Sequence, residues 1–371
     1  MIKCILEGKY DMGVMRLFLG DVFPSKKNNF DLIRFIAAVA VIFSHSFPLN
    51  GAIEPTTKFF RNSYGGLAVS IFIFLSGFLV MYSWSKSEDF SVFIKARILR
   101  IFPALIFVVF ISAFVLGPII TTLSVKEYFR HPQTYQYLRL ITLYDVRYAL
   151  PGVFANNAYK NAVNGSLWTL EYEFSFYIIL GILGSLKLLK KKYMSVFLFS
   201  IVFVLATLNA FPGKNIYTIY SFYFLNLSAY FCMGMIYYDF RKYIPLNKSL
   251  AGICMFMLIL SSFFGGLNDT LFIIFGSYLI IFIGLYPNIK LPQISKAGDF
   301  SYGIYIYAFP VQQTIIYIFG GKMNPTLNFL ISFPLTLLCA ILSWHFIEKR
   351  FLKLKKYSLF NLGAVSKVKE L

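Results

Sequence analysis

Ten apolar segments, separated by polar connections, can be read along the chain. They lie at roughly 31–50, 65–83, 101–123, 167–186, 194–211, 217–238, 250–265, 270–286, 300–320 and 326–347. Several approach or exceed the ~20 residues that an α-helix needs to cross a ~30 Å hydrocarbon layer. The pattern predicts an all-α polytopic membrane protein with about ten transmembrane helices. Most connections are short. The exception is about 124–166, rich in Tyr, Asn and Arg and free of long acidic or Gly/Ser tracts, which is expected to fold as a cap on the bundle. No second domain, short internal repeat or inverted repeat is visible.

Composition agrees: 58% of residues are hydrophobic and only 14% charged, where a soluble domain carries about 25%. The formal charge of +19 would point to nucleic acid in a soluble protein, but here the basic residues sit between apolar segments. Alternate connections, together with both terminal stretches, hold 26 of the 35 Lys and Arg residues, and the remaining connections hold nine. This asymmetry predicts both termini in the cytoplasm and the 124–166 loop outside. Charge thus becomes a topological signal, and nucleic-acid binding is excluded. Residues 1–28 read as a non-translocated cytoplasmic tail without a signal peptide, 29–351 as the membrane domain, and 352–371 as a basic cytoplasmic tail near acidic headgroups. No appended soluble domain is expected. Cys4, Cys232, Cys254 and Cys339 show neither CxxC pairing nor zinc spacing, so neither a metal nor a disulfide framework is expected.

Ionisable residues inside such segments are costly, and they usually face a cavity or a partner. In "RFIAAVAVIFSH", Arg34 and His45 stand eleven residues apart. On an α-helix that interval is three turns plus ~20° and a rise of ~16 Å, which puts both on one face, with Arg34 at the cytoplasmic interface and His45 near mid-bilayer or slightly beyond. Arg34 alone also fits a snorkelling interfacial residue, and His45 a neutral ring satisfied by a backbone carbonyl. In "NGSLWTLEYEFSFYI", Glu171 and Glu173 differ by ~200° around a helix, so they cannot share a cavity, and depth does not choose between them. A buried carboxylate with a histidine is the orienting half of an acid–base pair, or else a structural pair. In "FIKARILRIFPAL", Arg97 and Arg100 are spaced i,i+3 on one face. Their donor forks suit phosphates, although ordinary cytoplasmic charge explains them too. Together these segments fit a phosphate-bearing donor on the inside and a base within the membrane. His131 reads as a loop residue and His345 as an interfacial one; no GxSxG elbow is present.

The ordered set of motifs resembles the acyltransferase-3 family of integral membrane acyltransferases, which includes O-antigen, exopolysaccharide and Nod-factor O-acetylases. The resemblance runs from about Asn29 to Phe351. Arg34 and His45 match the family's R-x10-H signature in "FDLIRFIAAVAVIFSHSF". "GGLAVSIFIFLSGFLV" resembles its glycine-led second segment, and "RILRIFP" its RxxR followed by proline, here Pro103. "NGSLWTLEYEFSFY" is similar to its Trp-Ser/Thr-Leu-x-x-Glu block, which selects Glu173 over Glu171. "DFSYGIYIYAFPVQQ" and "SWHFIEKRF" look like its late blocks. Two positions depart from the pattern: Ala308 stands where many members have His, and Arg350 where Pro is commoner.

The resemblance implies acyl transfer, usually of acetyl from cytoplasmic acetyl-CoA, to a hydroxyl of a glycan at the outer face or on a lipid carrier. The protein would sit in a bacterial inner membrane as a multi-pass enzyme without a bound cofactor, acyl-CoA being a substrate. His45 would carry the acid–base role or transiently take the acyl group, Arg34 would lie near the donor, and Arg97 and Arg100 would hold the CoA phosphates. Glu173 would orient or balance the imidazole, and Trp168, Ser301 and Tyr302 are candidate donors to an oxyanion. A transporter or flippase for a polar or glycosylated substrate would also use buried Arg, His and Glu. A scaffold in a polysaccharide assembly complex is a third reading. No motif specifies an oligomer.

Overall fold

The computed structural model describes residues 17–25, 28–56, 63–145, 147–209, 219–261, 263, 268–294 and 297–356; Cys4 and most of both tails lie outside them. The described residues are helical, without a β-strand. Helices occupy each apolar segment: α1 (Phe30–Leu49), α2 (Tyr64–Ser87), α3 (Phe90–Ile120), α4 (Trp168–Ser185), α5 (Met194–Asn209), α6 (Ile219–Asp239), α7 (Lys248–Ser261), α8 (Phe272–Leu285), α9 (Ser301–Ile318) and α10 (Pro325–Lys353). Four of them, α1, α2, α3 and α10, are long and apolar enough to cross a membrane. They also carry apolar side chains outward, as in Ile106, Phe107, Phe110 and Ile119 of α3, and Leu330, Leu338 and Phe346 of α10. That is the exposure expected of helices solvated by lipid.

The helix ends follow from local chemistry. The Ser63 hydroxyl accepts from the Gly66 amide at 3.0 Å at the start of α2, and Asp89 accepts from Val92 at 2.8 Å at the start of α3. Asn324 caps α10 by accepting from the Thr326 amide at 2.9 Å. Single π-helical turns interrupt α3 at Ser112–Leu116 and α10 at Trp344–Glu348.

α1 packs on α2, α9 and α10, while α2 packs on α1, α4 and α6. The α2–α6 contact depends on small residues. A Cβ on Gly77 would lie 2.1 Å from the Phe231 carbonyl oxygen, and one on Gly234 would lie 2.2 Å from that of Phe74. Backbones this close are the membrane-helix solution to packing without a hydrophobic driving force. Gly77→Ala is therefore expected to cost about 3 kcal/mol, because backbone, not a flexible side chain, must give way. The lower melting temperature would be read by size-exclusion chromatography after heating in detergent.

The connection between α3 and α4 is folded. It carries short helices at Val125–Arg130 and Pro132–Gln136 and a 3₁₀ turn at Tyr137–Thr142, and it buries Tyr128, Tyr137, Leu140, Phe154 and Val163. Two adjacent glutamines of α9 tie it down. Gln313 donates to the carbonyls of Tyr159 and Ala162 at 2.8 and 2.9 Å. Gln312 donates to the Ile42 carbonyl and the Ser46 hydroxyl of α1 at 2.8 and 2.9 Å. Buried amide donors satisfied in this way are fixed points, since leaving them unpaired costs more than the bond itself contributes. They set the loop end of α1, and hence of His45.

Candidate active site

α1 places Arg34 near one end of the bundle and His45 near the other, on one face and ~16 Å apart along the axis. His45 lies fifteen residues into this twenty-residue helix, so it sits toward the loop end and not at mid-helix. Its Nδ1 is 3.4 Å from the Ser166 hydroxyl, and its ring meets Phe309 edge-on with centroids 5.8 Å apart. Ser166 is fully buried in the 3₁₀ turn that opens α4. Its carbonyl accepts from the Tyr305 hydroxyl, which in turn accepts from Thr169 at 2.5 Å. With Ser166 on Nδ1, Nε2 is the nitrogen left for proton transfer.

Three levels down α2 locate the other groups. At the top, the Gly65 amide donates to the Ser44 hydroxyl at 2.9 Å, and that hydroxyl donates to Glu54. Eleven residues on, ~16 Å lower, Ser76 donates to Glu173 at 3.1 Å, and Tyr177 donates to the same oxygen. Seven residues further, ~10 Å lower again, the Ser83 hydroxyl accepts from Arg97 at 3.2 Å. The structure thus brings Glu173 to Ser76 and Tyr177, with its charge acting on Arg97, Tyr302 and Tyr305. The carboxylate whose charge acts on His45 is Glu54.

At the Arg34 end, five charged side chains form one network. Arg100 donates to Asp299 at 2.7 Å and to Glu348 at 3.2 Å, and its guanidinium lies 5.5 and 5.8 Å from the Tyr302 and Trp344 ring centroids. Arg34 pairs with Asp31 and stands 3.7 Å from Asp299. Burial alone would raise the Asp299 carboxyl, but the Arg100 and Arg34 guanidiniums outweigh it and hold the group below its ordinary range.

Arg97 differs from Arg100. Among the described residues it has no carboxylate within ion-pair distance, and its Nε is buried without a hydrogen-bond partner. The turn that ends α10 packs on α3 and brings a third cation, Lys355. Its amine still reaches solvent, yet desolvation and the Arg97 and Arg100 charges lower it to about 8. Cations crowded beyond their local carboxylates make an anion site.

The remaining sequence candidates fall outside the reach of His45's polar contacts. Trp168 packs against Tyr223 and Tyr172, with centroids 4.8 and 5.8 Å away. Ser301 is buried at the first turn of α9, and the Tyr302 hydroxyl donates to the Ile101 carbonyl at 2.7 Å. Sequence reasoning missed Ser166, Glu54, Asp299, Glu348 and Lys355. Ser166, Asp299 and Glu348 lie inside the quoted motifs, and Glu54 is the lone acid between Asp31 and Glu88. Among the described residues no cluster could hold a metal ion.

Comparison with known proteins shows the family. Residues 27–345 match the family model described as an acyltransferase domain. An O-acetyl transferase of Shigella phage Sf6 is 31% identical over 335 residues, covering 88% of this chain and 96% of the relative. Nodulation protein 10 of Rhizobium leguminosarum bv. viciae is 28% identical over 360 residues, covering 89% and 94%. No solved structure matches. A family match across most of the chain, carried by a helical bundle with membrane-length apolar helices, makes this protein a member of the acyltransferase-3 family of membrane O-acyltransferases.

Proposed function

We propose that the protein transfers an acetyl group from cytoplasmic acetyl-CoA to a hydroxyl of a cell-surface or lipid-linked glycan, across a bacterial inner membrane. In this reading residues 29–351 form one membrane domain, all ten apolar helices are spans, and both termini face the cytoplasm. The observation that carries it is the arrangement along α1: a histidine at the loop end, and below it on the same face the start of a cationic region that closes the opposite end. An O-acetyl transferase among the relatives supports acetyl as the group and a hydroxyl as the acceptor.

The donor's phosphates lie against Arg97 and Lys355, the cations not neutralised by carboxylates. Arg34 and Arg100, fixed through Asp299, stand behind them and add field without moving. The pantetheine arm runs up the bundle past Glu173 toward His45. There Nε2 takes the proton of the acceptor hydroxyl while the oxygen attacks the thioester carbonyl. The tetrahedral intermediate collapses with breakage of the C–S bond, and the departing thiolate regains the proton as free CoA thiol.

The test is transfer of radiolabelled acetyl from acetyl-CoA to an envelope glycan by membranes carrying the wild-type or the His45→Ala chain. Equal labelling by both would overturn the role of His45. Substrate uptake without labelling would replace the enzyme by a transporter.

Lys355 gives this donor site a pH dependence. The amine is cationic below about 8, so the apparent KM for acetyl-CoA is expected to rise as pH increases through that value, about tenfold for one charge-assisted hydrogen bond of roughly 1.4 kcal/mol. A bound phosphate favours the ammonium and moves the midpoint upward. Lys355→Ala should hold the KM at its high-pH value throughout, which a KM-against-pH series measures directly.

A further inference from the structure

The role proposed for His45 requires an imidazolium to form inside an apolar bundle, and a cation there needs a counter-charge. Glu173 is held by Ser76 and Tyr177, ~16 Å further along α2 than the Ser44–Gly65 contact. We propose that Glu54, in the connection between α1 and α2, is the positioning residue that balances His45 in the transition state.

Its place is set by two groups from different helices, Ser44 of α1 and Gly65 of α2. Ser44, the residue before His45, gives its single hydroxyl proton to Glu54 and takes the Gly65 amide on a lone pair at 2.9 Å. Because that lone pair is occupied by the Gly65 amide, the Ser44 hydrogen is directed at Glu54, which accepts it. Gly65 leaves room for the pair: a Cβ there would lie 3.1 Å from the Ser44 oxygen and 3.3 Å from the nearer Glu54 oxygen. The leading glycine of "GGLAVS" thus has a chemical reason, since a side chain there would press on Ser44 and Glu54 and push the pair by a few tenths of an ångström. Glu54 touches neither the acceptor oxygen nor the thioester. It acts through the imidazole, which gains a proton from the hydroxyl and returns it to the thiolate, and the carboxylate keeps its charge throughout.

This inference rests on His45 being the base, and the experiment separates the two. Membranes containing full-length wild-type, Glu54→Gln, Glu54→Asp, Gly65→Ala and His45→Ala chains are assayed for acetyl transfer to an envelope glycan, with kcat and the KM for acetyl-CoA measured separately. Glu54→Gln is expected to lower kcat at least tenfold with the KM within twofold, since the donor site lies at the far end of the bundle. Glu54→Asp should recover part of the loss by keeping the charge on a shorter arm. Gly65→Ala should lower kcat in the same direction with the donor KM unchanged. Wild-type kcat in Glu54→Gln, with His45→Ala inactive, overturns this inference alone. So does a loss in Glu54→Gln that Glu54→Asp deepens or that raises the donor KM in parallel, which is the signature of a merely structural role. Full transfer by His45→Ala overturns both readings.

Discussion

His45→Ala is expected to lower kcat for acetyl transfer by about 10³-fold or more while leaving the KM for acetyl-CoA within a few-fold of wild type. The magnitude follows from removing a base that acts in the transition state, worth typically 10²–10⁴. Here the loss should lie in the upper part of that range, because among the described residues the polar partner of the ring is the Ser166 hydroxyl, and Glu54 is committed to Ser44. The KM should hold because Arg97 and Lys355 lie beyond Arg34, which is itself ~16 Å from His45 along α1. The distinction between kcat and KM is diagnostic, since an effect confined to kcat marks an interaction made only in the transition state. Initial rates with labelled acetyl-CoA in membrane vesicles measure both.

The second large effect concerns stability. Asp299→Ala is expected to destabilise the protein by about 3 kcal/mol, read as a lower melting temperature in detergent. Among the described residues Asp299 is the one carboxylate within ion-pair distance of both Arg100 and Arg34, and it joins the start of α9 to α3 and α1. Removing it leaves partly buried guanidiniums underpaired, and breaking a buried pair costs more than the pair contributes; the figure is set at the low end because Asp299 is 20% exposed. Acid should act in the same direction. The Asp299 carboxyl is held below its ordinary range in the folded protein. Its stabilisation is therefore complete above the unfolded value and is lost as pH falls through the folded one. Asp299→Asn should remove that acid-dependent component while keeping the shape, so its melting temperature should vary less with pH below the usual carboxylate range.

The all-helical character and the four membrane-length helices were legible because each writes its own hydrophobic run, and the relation of Arg34 to His45 was legible because both ride on one helix, whose pitch is universal. The helix α1 ends at Leu49, one residue short of the bound read from the sequence, where Asn50 bonds back to the Ser46 carbonyl at 2.8 Å. The pairing of Glu173 was not legible. Its position in α4 specifies depth and face, but the rotation of α4 against α2 decides whether it meets His45 or Ser76. Arg97 and Arg100 read alike as an i,i+3 pair, yet one is bound by Asp299 and Glu348, 199 and 248 residues away in sequence, and the other carries no ion pair among the described residues.

By itself, then, the sequence determined an all-helical chain with membrane-length apolar helices, its family, and the histidine and arginines on which an acyl transfer can be built. These depend on composition, spacing and motif, which are local. Only the tertiary structure decided which group each carboxylate meets: Glu54 with Ser44, Glu173 with Ser76 and Tyr177, and Asp299 and Glu348 with Arg100. The physical reason is that charge interactions are set by distance across helix packing, and the close backbone contact at Gly77 and the buried amides of Gln312 and Gln313 fix those distances among residues far apart in the chain.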